Sequence, residues 1–470
     1  MTFNSLQYAA FFAVVLVLYW RLRHRHQNLL LLVASNVFYG LFDYRFLGLL
    51  WLSTITDFTV GRLLSRTEEP RRRRALLTGS LFVNLGVLAL FKYFSFFLGS
   101  ATRFLHAFGF DYTSPQLKVL LPVGISFYTF HGISYAFDVY RRDIEPTDSL
   151  LSFAVFVAFF PQLVAGPIGR AHLQLPQFER PRAPLGREQM RSGAVLILVG
   201  LFKKVAIADA VAPVANQAFA HASVAGWPQL VVGVYAFALQ IYGDFCGYTD
   251  IARGSARLLG IELPENFRQP YLSRSITEFW RTWHISLSTW LRDYLYVPLG
   301  GNRGGRVLTY RNLMLTMLLG GLWHGAAWTF VVWGGLHGLF LSAERMRRTG
   351  ATSARTPPGI GRQVVAVVAT FHLVCLAWIF FRAPSLSQGW QYLKGIASFR
   401  SGPLDADAFA AVIPAALAML AIDLVQRLTR NEVAILQWRP GLRGSAYAFM
   451  VLAVLVFSGG TPVPFIYFRF

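Results

Sequence analysis

The chain has 470 residues, of which 54% are hydrophobic, 15% aromatic and only 14% charged. A soluble protein of this length divides into domains joined by polar linkers, whereas here apolar runs recur from Leu6 to Val463. The formal net charge of +21 points away from nucleic acid, because the basic residues fall in short clusters between apolar runs, as at Arg21 to His26, Arg71 to Arg74 and Arg345 to Arg348. Cytoplasmic loops carry such clusters under the positive-inside rule, where they also favour anionic lipid headgroups or an anionic cytoplasmic cofactor.

Several runs reach the ~20 helical residues that cross a hydrocarbon core. An open sheet cannot satisfy its backbone in lipid, so the composition predicts an all-α integral membrane protein. The two cysteines, Cys246 and Cys375, lie inside apolar runs and form neither a disulfide framework nor a paired metal motif. The first run, Leu6 to Trp20, has no basic region before it and no small-residue cleavage site after it, so it reads as a retained helix.

In chain order, crossings are predicted near 5–20, 28–42, 46–64, 76–98, 118–140, 191–219, 230–250, 308–323, 326–343, 364–382, 407–426 and 446–463. The loops 21–27, 65–75, 141–149, 251–307, 344–363 and 427–445 are basic and are assigned to the cytoplasm. Loop 220–229 has no Lys, Arg, Asp or Glu and is assigned to the other side. The run 150–168 ends in Phe160-Pro-Gln-Leu-Val-Ala-Gly-Pro167, whose breakers predict a segment that enters and returns while packed against protein. The polar segment 251–307 is rich in Trp and reads as short helices at the cytoplasmic interface.

Two stretches concentrate chemistry. Glu278 to Pro298 carries His284 among Trp280, Trp283 and Trp290, and is followed by the glycine-rich stretch Gly300 to Gly305 with Asn302 and Arg303. Met317 to Gly338 carries Trp323, His324 and His337. His324 falls at the turn of a predicted helical hairpin, 308–343, beside Gly320, Gly321 and Gly325, which permit close packing or substrate approach. An ionisable group at membrane depth is costly, and imidazole can take a proton from an attacking hydroxyl near neutrality. A histidine merely hydrogen-bonded between helices is the other reading of the same residue type.

His337, thirteen positions further on, is assigned to packing by its glycine-rich setting, and His284 alone reads equally as an interfacial belt residue. Spacing provides no metal-ligand motif. The 300–305 stretch lacks a dinucleotide-binding context and reads first as a turn. Arg281, Arg292, Arg303 and Arg306 around it are the candidate holders of cofactor phosphates. Asp244, expected within the protein core, either orients a histidine or pairs with an arginine, and a purely structural ion pair is an equal reading. Lys203 and Lys204 are expected to snorkel to an interface.

The stretch from Asp244 to Gly338 resembles the membrane-bound O-acyltransferase family, specifically its bacterial polysaccharide branch. The matching text is Leu263-Pro-Glu-Asn-Phe267, Phe279-Trp-Arg-Thr-Trp-His-Ile-Ser-Leu-Ser288, Trp290-Leu-Arg-Asp-Tyr-Leu-Tyr296, Pro298-Leu-Gly-Gly-Asn-Arg303 and Trp323-His324-Gly325, with Phe160 to Ile168 and Pro464 to Phe468 outside it. Cys246 stands where serine is usual and Thr249 is a further mild departure, which argues against a functional role for the Cys246 side chain.

The resemblance implies one membrane domain over 1–470, with about 11–13 transmembrane or re-entrant helices enclosing a catalytic tunnel. It implies His324 as the catalytic histidine, and His284 at a second polar position that is asparagine in many eukaryotic members. It further implies an enzyme of the bacterial inner membrane that takes acetyl from cytoplasmic acetyl-CoA, without a permanently bound cofactor, towards a polysaccharide such as alginate. A periplasmic SGNH-type partner is implied as a first acceptor. Two rival classes share some features. A transporter also shows broken helices and polar residues at depth, but the sequence lacks an inverted repeat. A noncatalytic scaffold of a polysaccharide secretion complex is the second.

Overall fold

The computed structural model describes the chain except for residues 111–119, 165, 350–358, 404, 460–464 and 467–470, and the side chains of 348 and 349. The start of the predicted crossing at 118–140 and Pro464, Tyr467 and Phe468 of the closing motif therefore lie outside the described residues. Among those described, the regular structure is helical and no strand is present. They include six helical stretches long and apolar enough to cross a membrane. Two compact units are formed, Met1–Met190 with Ser255–Pro264, and Arg191–Gly254 with Glu265–Phe470.

In the first unit, helix Leu6–Tyr19 starts at Ser5, whose hydroxyl accepts the Tyr8 backbone N–H and satisfies one orphan donor of the first turn. Helices His24–Asp43 and Leu47–Ser65 are joined by the tight turn Tyr44–Phe46. Trp51 Nε1 donates to Asn36 Oδ1 at 2.9 Å. On a straight helix residues that far apart are separated by about 22 Å, so the chain folds back at the turn. The two predicted crossings are thus separate legs.

Part of the predicted loop 65–75 is helix. Pro70 opens Pro70–Leu88, where its missing N–H costs nothing. Arg73 is buried, and its guanidinium donates to the carbonyls of Leu64, Thr67, Val139 and Tyr140. It supplies donors to last-turn carbonyls of two helices, Leu47–Ser65 and Ile125–Arg141, where the helical hydrogen-bond ladder runs out.

The run 150–168 is broken as predicted. Leu150–Ala158 and Phe160–Leu163 meet at Phe159, whose extended ψ of 109° interrupts the helix before Pro161. The longer piece has 9 residues, about 14 Å and less than half a hydrocarbon core. Phe153 to Val164 is fully buried, and Gln162 Nε2 donates to the Phe156 carbonyl freed by the break.

In the second unit the chain is helical from Arg187 to Ala220, with a π-helical stretch at Phe202–Asp209. The next helix, Trp227–Leu258, runs eight residues beyond the predicted crossing because Ile251, Ala252 and Ala256 remain buried. The rest of the 251–307 segment forms short pieces at Pro270–Leu272, Ile276–Thr282, Ile285–Leu291 and Arg292–Tyr296. Then come Gly305–His324, Trp328–Thr349, Ile360–Arg382, Ala406–Thr429 and Pro440–Phe457, close to the predicted positions. Helix Leu386–Ala397 was not expected. It is held by Tyr392, whose hydroxyl donates to the Leu230 carbonyl and whose ring stacks on Phe219.

Helix Ala406–Thr429 has 24 residues, about 36 Å of rise and enough to span a bilayer core. Asp405, Ala408 and Phe409 at its start line a cavity with His221, Val224 and Pro228 of the uncharged 220–229 turn. Its other end opens into the basic loop 427–445. Cysteines placed at the exposed positions Ser223 and Gln437 of a cysteine-free variant therefore label from opposite sides. In intact cells an impermeant thiol reagent should modify Ser223→Cys and spare Gln437→Cys until the membrane is opened. Labelling of Gln437→Cys in sealed cells would reverse the assignment.

Candidate active site

The hairpin built from Gly305–His324 and Trp328–Thr349 is held by close backbone approach. A Cβ on Gly321 would stand 2.2 Å from the Phe330 carbonyl oxygen, and one on Gly334 would stand 2.2 Å from that of Met317. No side chain fits at either position, which is why small residues mark tightly packed membrane helices. The first helix ends at His324 because Gly325 is extended, with φ −158° and ψ 145°. A Cβ on Gly325 would meet the Phe330 ring at 2.1 Å, so the turn closes against that ring.

His324 is thereby placed at a helix end inside the protein, with 3% of its surface exposed. Its ring packs edge-on against Trp323, Trp333 and Phe381, with centroids at 5.0, 5.0 and 5.4 Å. His284, forty residues earlier, is fully buried and enters the same chamber, its ring centroid 6.3 Å from that of His324. Trp323 lies beside both imidazoles, and the Phe245 ring meets His284 edge-on at 4.7 Å.

His284 adopts a left-handed backbone, φ 43° and ψ 53°, an uncommon conformation for a residue other than glycine. It lies between helices Ile276–Thr282 and Ile285–Leu291, and the turn directs its imidazole inward. Its Nδ1 is 3.1 Å from Asn266 Oδ1, which also accepts the Ser286 backbone N–H at 3.2 Å and the Ser286 hydroxyl at 2.9 Å. A backbone N–H can only donate, so the network identifies the Asn266 oxygen and places the His284 proton on Nδ1. His284 Nε2 is then an acceptor. Burial reinforces the neutral form by pulling the imidazole pKa down to about 3.

The other predicted residues are distributed differently. Of the readings open for Asp244, the structure shows an ion pair: it pairs with Lys204 at 2.7 Å and accepts the Ile466 backbone N–H at 2.6 Å. Lys203 and Lys204, expected to snorkel, are buried on the π-helical stretch. Lys203 Nζ reaches Asp250 at 2.8 Å, and Lys204 also pairs with Asp209 at 2.7 Å. Neighbouring residues diverge around the helix axis, and the two ammonium groups accordingly reach different carboxylates.

Asn302 lies in an exposed turn and accepts the Tyr296 hydroxyl at 2.5 Å. Arg281 and Arg303 are exposed, and Arg292 pairs with the neighbouring Asp293 at 2.6 Å, which raises its pKa further. None of the three lines the large polar cavity of about 630 Å³ beside helix Ile276–Thr282. That cavity carries Arg253, Arg268, Arg427 and Arg430, with Ser273 and Thr282 in its wall.

Sequence reasoning missed Asn266 as a structural partner of His284, and it missed the second pair of buried ions. Asn266 lay in plain view within the Leu263–Phe267 motif, but only the fold brings it to Ser286. For Lys203 and Lys204 the available signal was a double lysine in the middle of an apolar run, with Asp244 and Asp250 in the next one.

Comparison with known proteins places the chain among acyl-transferring membrane proteins. The model of MBOAT, the membrane-bound O-acyltransferase family, matches residues 140–383. The chain is 44% identical over 396 residues to a "probable alginate O-acetylase" of Azotobacter vinelandii, covering 83% of this chain and 76% of that one. It is 36% identical over 395 residues to a peptidoglycan O-acetyltransferase of Helicobacter pylori, covering 78% and 73%. With a teichoic acid D-alanyltransferase of Bacillus subtilis it shares 26% over 279 residues, 57% and 70% of the two chains.

The buried ion pairs make a stability prediction. Lys204→Met removes the cation between Asp209 and Asp244 and should cost about 3–5 kcal/mol, the usual effect of breaking a buried pair from one side. Replacing Asp244 by Leu in the same protein should recover part of that loss. Thermal unfolding in detergent measures both, and a Lys204→Met protein as stable as its parent would refute the pairing.

Proposed function

Because the chain belongs to the membrane-bound O-acyltransferase family, and is thus a multi-pass membrane O-acyltransferase, we propose that it transfers acetyl from cytoplasmic acetyl-CoA to a hydroxyl bound for an extracytoplasmic polysaccharide. The polymer is of the alginate or peptidoglycan type named for its relatives, the membrane is the bacterial inner membrane, and a periplasmic SGNH-type protein is the partner that completes delivery. The observation that carries the reading is the meeting of His284 and His324 in one buried chamber from segments forty residues apart.

In the proposed reaction, the His324 imidazole takes the proton of the acceptor hydroxyl as its oxygen attacks the thioester carbon. The new C–O bond forms, the tetrahedral intermediate collapses with cleavage of the C–S bond, and the departing thiolate takes the proton back from the imidazolium. Attack by His324 itself, giving a transient acyl-histidine, is the variant of this route. His284 offers a neutral Nε2 acceptor in the same chamber and orients the reacting groups. The aromatic walls exclude water, which would otherwise compete as acceptor.

CoA is charged and stays on the cytoplasmic side, so only its acylated arm reaches His324. Its phosphates are assigned to the cavity of Arg268, Arg427 and Arg430, which Glu265, Glu278 and Glu432 also line, on the face formed by the basic 251–307 and 427–445 segments; Arg281, Arg292 and Arg303, exposed like these three, do not line it. Ala at Arg427 and Arg430 should raise KM for acetyl-CoA about tenfold with a smaller change in kcat, because phosphate binding is equal in ground and transition states. Unchanged saturation in these variants, with a raised KM for Arg281→Ala, Arg292→Ala or Arg303→Ala, would move the site to the original three.

His324→Ala should insert normally and lose transfer by ~10²–10⁴-fold, the usual contribution of a positioned base. His324→Gln keeps a hydrogen-bonding side chain that cannot take up a proton near neutrality, and should be equally inactive. Polymer acetylation at matched membrane abundance is the measurement. Near wild-type acetylation in the Gln variant would refute a chemical role and leave a structural one. The same pair of variants separates a catalyst from a scaffold, since a scaffold tolerates both.

A further inference from the structure

The chamber wall holds two buried N–H donors that the reaction above leaves unused. Trp333 is 1% exposed, its ring edge-on to His324 at 5.0 Å and stacked on Trp378 at 5.8 Å. Its Nε1–H has no acceptor among the described residues. His337 is fully buried, with its ring 4.9 Å from that of Trp333. Trp280 Nε1 donates to His337 Nδ1 at 3.3 Å, so that nitrogen is the acceptor and the proton resides on Nε2. His337 Nε2 in turn has no partner among the described residues. Buried donors are rarely left unsatisfied, and an exception calls for an acceptor supplied from outside the protein.

Two features restrict the nature of that acceptor. The surroundings are aromatic, with Phe279 stacked on His337 at 6.0 Å and an interplanar angle of 6°, so they suit a slender neutral chain better than an ion. The donors also stand in series from His324, Trp333 adjacent to it and His337 one ring further on. An acyl thioester on a pantetheine arm matches this order. Its thioester carbonyl must lie beside the base, and the next oxygen along the arm is an amide carbonyl a few bonds away.

We infer that Trp333 Nε1–H binds the thioester carbonyl and its developing oxyanion, while His337 Nε2–H binds the first amide carbonyl of the pantetheine arm. This rests on the acyl-CoA reading of the site and adds two residues to it. During attack the carbonyl π pair moves onto oxygen, and the indole donor holds that charge until the C–S bond breaks and the carbonyl re-forms. A donor aimed at charge that exists only in the transition state acts on kcat. A donor to an amide that is unchanged in the reaction acts on KM. The proposal therefore assigns different kinetic signatures to neighbouring residues.

The test uses the full-length protein in membranes, with acetyl-CoA as donor and matched abundance of each variant. Trp333→Phe keeps a ring and loses the N–H; kcat should fall about 10²-fold or more with KM within a few-fold of the parent. His337→Phe keeps the stacking on Phe279 and loses the donor; KM should rise about tenfold with a small change in kcat. His337→Gln retains an N–H donor and an acceptor for Trp280, and should restore a large part of the parental KM. A wild-type kcat in Trp333→Phe, or equal KM values for His337→Phe and His337→Gln, overturns the assignment. If His324→Ala and His324→Gln are inactive in the same assay while Trp333→Phe is fully active, the inference fails and the acyltransfer reading stands. Full activity in both His324 variants fails the reading itself.

Discussion

A buried polar group inside a membrane protein has no water to return to, and the described structure is organised by that constraint. Arg73 is drawn inward to serve carbonyls of two helix ends. Asp57, fully buried, accepts from Ser80 at 2.6 Å and from Asn84 at 2.9 Å. Lys203 and Lys204, on the π-helical stretch, are buried against Asp250, Asp209 and Asp244. Tyr242, on the helix with Asp244 and Asp250, donates to Asp423 at 2.8 Å and ties Ala406–Thr429 to the same group. Each of these side chains is matched to a partner, so these contacts fix the register of helices that dispersion forces alone would leave free to slide.

Against this background the two histidines, His284 and His324, are held in different ways. His284 is oriented on its Nδ1 side by Asn266, which gives it one tautomer, and its Nε2 is left as an acceptor. His324 is fixed mainly by rings on several sides and by a turn that tolerates only glycine at Gly325. Rings on several sides set the orientation of this imidazole to within the play of the packing. The donors on Trp333 and His337 belong to the same logic, being held in place by stacking and by Trp280.

The family relationship accounts for the reaction class. Proteins named for alginate O-acetylation, peptidoglycan O-acetylation and teichoic acid D-alanylation match the same chain, so both the acyl group and the polymer differ among the relatives' names.

The sequence by itself determined the helical membrane architecture, the hairpin at 308–343, the broken run at 150–168 and the candidacy of His284 and His324. These follow from local signals: apolar run length, basic clusters, and Gly and Pro where a backbone must turn or approach closely. It also made Lys203 and Lys204 look like surface residues, because residue type and immediate neighbours were all it offered. Only the tertiary structure decided that Asn266 meets His284, that Lys204 meets Asp244, and that Arg253, Arg268, Arg427 and Arg430 line one cavity. Each of those outcomes depends on the relative rotation and depth of helices distant in sequence. A period of 3.6 residues says which face a side chain occupies, but not what that face will meet.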